Sequence, residues 1–211
     1  MHIPMVDRRE PIDVEIREEP LSELGGYATI TIAFEVRSVL EVSGASGEWT
    51  LAERPVDEPY IKDYDANEAE RPTSWARRFD ISRWVMLVAR HDDQPIGVAV
   101  VALDTPHLAM LDDRKDVAAL WDIRVAPAHR GRHVGTALFD AAEQSAIDRG
   151  CRVLRVETQN NNVAACRLYQ GRGCALEQVE PGAYPEFPDE VRLIWSKPLS
   201  NEETEGQNPR R

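Results

Sequence analysis

The stretch HRGRHVGTAL, His129 to Leu138, carries the residue types of an anion site. It follows an apolar segment that ends at Val125. It then enters residues 134–149, where Val134, Leu138, Ala141, Ala142 and Ala146 recur at helical spacing before Gly150, placed as a C-terminal cap. The first N–H groups of such a helix, Val134 to Ala137, have no partner within it, and the positive end of the helix dipole stands behind them, so they can hold a phosphate. Arg130 and Arg132 add cations that can pair with phosphate oxygens. A basic loop before a helix is also an ordinary surface feature, and the residues alone leave both readings open. A second cluster is acidic and aromatic: Asp57, Glu58, Asp63 and Asp65 with Tyr60 and Tyr64 can attract a polycation and stack on it, or can simply form a solvated loop. Tyr184, Glu186 and Asp189 in AYPEFPDEV make a similar loop before the last apolar segment.

These residues need elements to position them. Alternation of apolar and polar side chains predicts strands over 12–18, 28–42 and 50–56, with GASGEW as a turn before the third. Residues 57–71 read as an irregular acidic loop and 74–80 as a short helix. RWVMLVAR and PIGVAVVAL are strands joined by HDDQ as a hairpin, and VAALWDIRV is a strand stopped at Ala126-Pro127. After the helix come the strand RVLRVET, a helix from an asparagine cap through NNVAACRLYQGRG, and the strands CALEQV and EVRLIWSK. Strands first, then strand, helix, strand, helix, strand, strand, predict an α+β fold: a mixed, mostly antiparallel sheet of about seven strands with helices on both faces.

A chain of 211 residues, 42% hydrophobic, fits one domain over 11–199 between tails 1–10 and 200–211 too polar to order. Its 37 acidic against 25 basic residues, a net charge of −12, oppose binding to nucleic acid or an anionic membrane, and either suit a cationic substrate or only keep the protein soluble. Cys151, Cys166 and Cys174 form no C-x-x-C pair and read as core residues of a reducing compartment, with no metal site. The start lacks a signal segment and no run is long enough to span a membrane, so the expected location is the cytoplasm. Trp75, Trp84, Trp121 and Trp195 are expected in the core, and exposed C-terminal strand edges leave room for a homodimer.

DIRVAPAHRGRHVGTALFDAA followed by ETQNNNVAACRLYQGRGC resembles, in order and spacing, the two signature segments of the GNAT superfamily of acetyl-coenzyme A-dependent N-acetyltransferases. The R-x-x-G-x-G/A loop of that family, matched by Arg130 and Gly135, implies a pyrophosphate cradle of Arg130, Gly131, Arg132, His133, Val134, Gly135 and Thr136. The N-x-x-A-x-x-x-Y segment, matched by Asn162, Ala165 and Tyr169, implies an asparagine on the pantetheine arm and a tyrosine near the thioester. FEVRSV, PYIKDYD, SWARRFD, LWDIRV and AYPEFPDEVRLIW extend the likeness to the streptothricin acetyltransferase branch, which modifies a β-lysine amine and confers resistance to that antibiotic.

The resemblance implies direct acyl transfer with acetyl-CoA as cosubstrate and no metal. Ile123, Arg124 and Val125 would pair with the pantetheine amides, with one N–H for the oxyanion. Tyr169 would be the general acid, and Asp122 or Glu157 the general base, with Glu35 as a third candidate. For Asp122 and Glu157 the alternative is pairing with Arg124 or Arg155. Glu35, Tyr60, Asp63, Asp65 and Tyr184 would meet the substrate. The acceptor is expected to be streptothricin; a polyamine, an aminoglycoside or a protein amine are alternatives, as is a GNAT fold that senses acyl-coenzyme A without turnover. The one departure, His133 for a motif glycine, implies weaker cofactor binding with function retained.

Overall fold

A computed structural model describes residues 10–45 and 48–200. The expected polar tails lie almost wholly outside the described residues. Seven strands form one sheet in the order β1-β4-β5-β6-β7-β9-β8, where β1 is Glu15–Glu19, β4 Val85–His91, β5 Gln94–Leu103, β6 Val117–Val125, β7 Val153–Gln159, β8 Ala175–Pro181 and β9 Val191–Pro198. Every neighbouring pair is antiparallel except β6 with β7. This is the mixed, mostly antiparallel α+β sheet of seven strands that the order of elements predicts. The β4–β5 turn places Asp92 and Asp93 at positive φ, 48° and 61°, the twist that suits a tight hairpin.

Helices α3 (Val134–Asp148) and α4 (Val163–Gly171) cover one face. Leu138, Phe139 and Ala142 of α3 and Cys166 and Tyr169 of α4 pack with Leu87, Ala99, Leu120, Leu154 and Val156. The short helices α1 (Leu24–Tyr27) and α2 (Trp75–Arg78) cover the other, with Leu24, Tyr27 and Trp75 against Met86, Val88, Val98 and Val100. Trp75, Trp84 and Trp195 are buried, and Trp121, only partly covered, stacks edge-on against Phe79 with ring centroids 5.3 Å apart. All three cysteines are buried and free; burial pushes the Cys166 thiol up to about 12. Gly97 on β5 sets how closely α3 approaches: a Cβ there would meet Leu138 Cδ1 at 3.0 Å and the Arg124 carbonyl at 3.1 Å.

The structure corrects the N-terminal reading in two places. Strand β2 starts at Phe34, with α1 and a short coil before it, so residues 28–33 are not strand. Strand β3 runs Glu48–Lys62, so the acidic stretch from Asp57 to Lys62 is strand and not loop. Strands β2 (Phe34–Ala45) and β3 pair only with each other, as a separate two-stranded arm. Asp57 to Lys62 read as a loop because β3 is exposed from Asp57 to Ile61; the arm finds the core on one face of β2, through Val36, Leu40 and Val42. Leu40 and Asn160 exchange backbone and side-chain bonds, Leu40 N to Asn160 O at 2.8 Å and Asn160 Nδ2 to Leu40 O at 3.1 Å, which ties the arm to the chain just past β7.

Candidate active site

Strands β6 and β7 pair only from Val117 with Val153 to Leu120 with Val156. Past that point β6 stays with β5 as far as Val125 opposite Gly97, while β7 stays with β9 as far as Gln159 opposite Arg192, so a wedge opens between them. On the wedge side the backbone of residues 121–125 has no strand partner, and a free strand edge can take up an extended amide-bearing ligand. Ile123, Arg124 and Val125 lie here.

Trp121 is an extra residue in β6: Val100 faces Asp122 while Val101 faces Leu120. Such a bulge shifts the alternation of side chains by one place. It turns Asp122 and Arg124 onto the face of α1 and α2, leaving Ile123 and Val125 on the face of α3 and α4. There the buried Arg124 guanidinium grips both oxygens of Asp122, at 2.9 and 2.6 Å, and reaches Asp65 Oδ2 at 2.8 Å and the Ile30 carbonyl at 3.1 Å. Burial by itself would lower the Arg124 pKa; the two carboxylates offset this and hold it above its ordinary value. Asp122 and Asp65 are thus the counter-ions of a buried cation.

Glu157 is different. It sits on β7 on the same face, half-buried, and accepts a hydrogen bond from Tyr184 Oη at 2.8 Å; that oxygen in turn accepts from Gln159 Nε2 at 2.7 Å. Burial raises its pKa from the ordinary value, against the lowering effect of Tyr184 and of Arg192, 4.0 Å away. Arg155 does not pair with it but with Glu177, at 2.7 Å. Glu35 is exposed and paired with Arg37 at 2.6 Å, and Asp63 accepts from the Asp65 N–H at 3.0 Å.

At the start of α3, Gly131 and His133 both take left-handed backbone, φ 75° and 67°. The His133 side chain makes no cap bond. A left-handed histidine costs about 1 kcal/mol relative to glycine. His133→Gly is expected to raise the denaturation midpoint accordingly and to tighten coenzyme A binding, both read by titration; a lower midpoint would show that the imidazole stabilises the loop. The Arg130 guanidinium donates to the carbonyls of Val125, Ala33 and Thr31 at 2.9, 2.7 and 2.8 Å, and so braces the loop from behind; Arg132 donates to the Glu10 carbonyl at 3.2 Å. At Gly135 a Cβ would meet only Leu168 at 3.7 Å and Val125 at 3.9 Å, so the protein's own packing does not demand a glycine there.

On α4, Asn162 caps the helix by accepting from the Ala165 N–H at 3.2 Å. Tyr169 is 3% exposed and lies against Phe139, ring centroids 6.0 Å apart; burial pushes its phenol well above the ordinary value. A polar knot absent from the sequence reading joins distant segments. Lys62 Nζ pairs with Glu190 at 2.6 Å and stands 3.8 Å from the Phe187 ring centre, while Asn161 Nδ2 donates to Glu190 at 3.0 Å and to Tyr60 Oη at 3.2 Å. No local signal links residues 62, 161 and 190; only the sheet brings them together. A cavity of about 600 Å³ opens beside the knot, under the arm, with Asp57, Tyr60 and Asp189 in its lining. It adjoins the wedge but does not coincide with it. Among the described residues no helix is long and apolar enough to cross a membrane.

A parallel strand pair that splays at its end, with a helix N-terminus beside one strand and a capped helix after the other, is the architecture of coenzyme A-dependent acyl transfer. The model of the acetyltransferase (GNAT) family matches residues 48–174, and the chain belongs to that family; it is an acetyl-CoA-dependent acetyltransferase. It is 28% identical to the streptothricin acetyltransferase of Escherichia coli over 165 residues, 77% of this chain and 83% of that one. It is similar in structure to nourseothricin acetyltransferase, with TM-score 0.67, 26% identity and 89% and 99% of the two chains covered. A streptothricin acetyltransferase-like structure from Bacillus anthracis, in complex with acetyl coenzyme A, shares the fold with TM-score 0.70 at 23% identity, over 89% of this chain and all of that one.

Proposed function

We propose that the chain acetylates a primary amine on a cationic small molecule, with streptothricin as the acceptor to test first. The observation that carries the acyl-transfer reading is Glu157: a half-buried carboxylate of raised pKa at the mouth of the wedge, oriented by Tyr184, on the face opposite α3 and α4. The choice of acceptor rests on the streptothricin and nourseothricin acetyltransferase relatives and on the aromatic and acidic rim of Tyr60, Phe187, Asp57 and Asp189.

The residues present fit acetyl-CoA. The open strand edge at Ile123, Arg124 and Val125 suits its amides. The N–H groups of Val134, Gly135 and Thr136, with a turn before them in which Gly131 and His133 are left-handed, suit its pyrophosphate. Gly135 leaves the surface between α3, α4 and the end of β6 free for close approach. When bound, the cofactor supplies an acyl carbon with a thiolate leaving group. Arg130 holds the loop in shape through its three carbonyl bonds.

An amine with a pKa near ~10.4 must lose a proton before it attacks. Glu157 takes that proton, directly or through water, whereas Asp122 has both oxygens committed to Arg124. Tyr169, kept neutral by its burial, donates its O–H toward the sulfur and so guides the second amine proton there. Tyr169→Phe is expected to lower kcat about a hundredfold with little change in KM for acetyl-CoA; steady-state kinetics that show unchanged kcat would remove that role. Release of free thiol across a panel of amines identifies the acceptor. Growth in streptothricin, with Tyr169→Phe as control, tests the first choice, and acetyl-CoA binding without thiol release for any amine would mark a sensor instead.

A further inference from the structure

Tyr64 is an unexplained group in this site. Its hydroxyl is buried and forms no aligned hydrogen bond, although the side chains of Asn162 and Thr158 adjoin it and Tyr169, Tyr184 and Glu190 lie within its electrostatic reach. Buried hydroxyls are seldom left unpaired, because desolvation is then not repaid.

The backbone around it is held firmly. Asp63 caps the turn through the Asp65 N–H at 3.0 Å, Asp65 is gripped by Arg124 at 2.8 Å, and Arg71 Nε donates to the Asp65 carbonyl at 2.7 Å. The ring rests on Phe34, centroids 5.8 Å apart. These anchors lie on the acceptor side with Asp122, whereas Thr158 belongs to the buried alternation of β7 that faces α3 and α4, and Asn162 and Tyr169 belong to α4. Tyr64 therefore reaches from the acceptor side toward the cofactor side at the end of the wedge, where a thioester lying along β6 has to meet the amine.

We propose that Tyr64 Oη donates a hydrogen bond to the acetyl carbonyl oxygen of the bound thioester and so stabilises the negative charge that develops there, as a catalytic residue beside the backbone donors of β6. The inference rests on the acetyltransfer reading above. In the step it serves, the amine nitrogen bonds to the acetyl carbon and the C–S bond breaks. One amine proton goes to Glu157, the other ends on sulfur, and the Tyr64 proton stays on Tyr64. Burial raises the phenol above its ordinary pKa, which keeps it a neutral donor at working pH.

The test is Tyr64→Phe, which keeps the ring on Phe34 and removes only the hydroxyl. Loss of one oxyanion donor lowers kcat by about 10²–10³-fold in a site that depends on it; with backbone donors sharing the charge, a fall of at least about tenfold is expected here. Free coenzyme A has no acetyl carbonyl, so its dissociation constant by calorimetry should not move, and the melting temperature should hold or rise because an unpaired hydroxyl is gone. Wild-type kcat in the variant overturns the proposal. So does weakened coenzyme A binding with kcat preserved, which would place the hydroxyl on the pantetheine arm. An unfolded Tyr64→Phe would equally overturn it, since the hydroxyl would then be structural. Absence of thiol release by the wild-type protein with every amine would fail the acetyltransfer reading itself, a result distinct from all of these.

Discussion

Glu157→Gln is expected to lower kcat/KM at pH 7 by about a thousandfold, within the range that a positioned general base supplies. The loss should shrink as pH rises toward the acceptor's own pKa near ~10.4, where the free amine no longer needs a base. The wild-type profile should show an acid limb shifted upward from that of an ordinary glutamate, because burial raises Glu157. A pH profile of kcat/KM for both proteins checks this; a variant as active as wild type at pH 7, or one equally impaired at high pH, would place the base elsewhere. The same substitution should leave the fold at least as stable. A carboxyl whose folded pKa lies above its unfolded one favours folding most below the unfolded value, and that contribution is lost as pH rises through the raised value. At neutral pH the ionised Glu157 is therefore a burden that glutamine lifts, and a urea midpoint at pH 7 equal to or above wild type is the expected result.

Arg124→Ala is expected to destabilise the protein by about 3–5 kcal/mol, the cost of leaving a buried charge without its partner. Arg124 is 3% exposed and Asp122 8%, so water cannot replace the lost guanidinium at either oxygen of Asp122. Lysine is no substitute, because a single ammonium cannot grip Asp122 at two oxygens and also hold Asp65 and the Ile30 carbonyl. Chemical denaturation measures the loss; a shift under about 1 kcal/mol would mean that the pair behaves as an exposed one. Because Asp65 anchors the turn that carries Tyr64, any folded Arg124 variant should also lose kcat.

Much of this was legible beforehand where local rules act alone. Strands β4 to β6 announce themselves as apolar runs because both faces of the sheet are covered. The helix from Val134 and the cap at Asn162 follow from side-chain spacing and one oxygen. The second strand of the arm was less legible, since Asp57 to Pro59 bulge out of the pairing and Tyr60 and Ile61, which rejoin it opposite Val36 and Glu35, stay exposed and leave no periodic record. Of the carboxylates on the strands that part, composition could not choose. Asp122 and Glu157 each had an arginine two residues away, and both pairings were equally writable.

The sequence by itself determined the family, the order of elements from β4 onward, the helix that follows the basic loop and the capped helix carrying Tyr169, because each of these depends on residues within a few positions of one another. Only the tertiary structure decided which groups are free to react. The extra residue at Trp121 turns Asp122 toward Arg124 and Asp65, while the end of the sheet leaves Glu157 hydrogen-bonded to Tyr184, with Arg192 no nearer than 4.0 Å. It also brought Tyr64 to Asn162 and Thr158, and Lys62 to Glu190. Those contacts join segments about a hundred residues apart, and their partners are selected by strand register and burial, which no local pattern encodes.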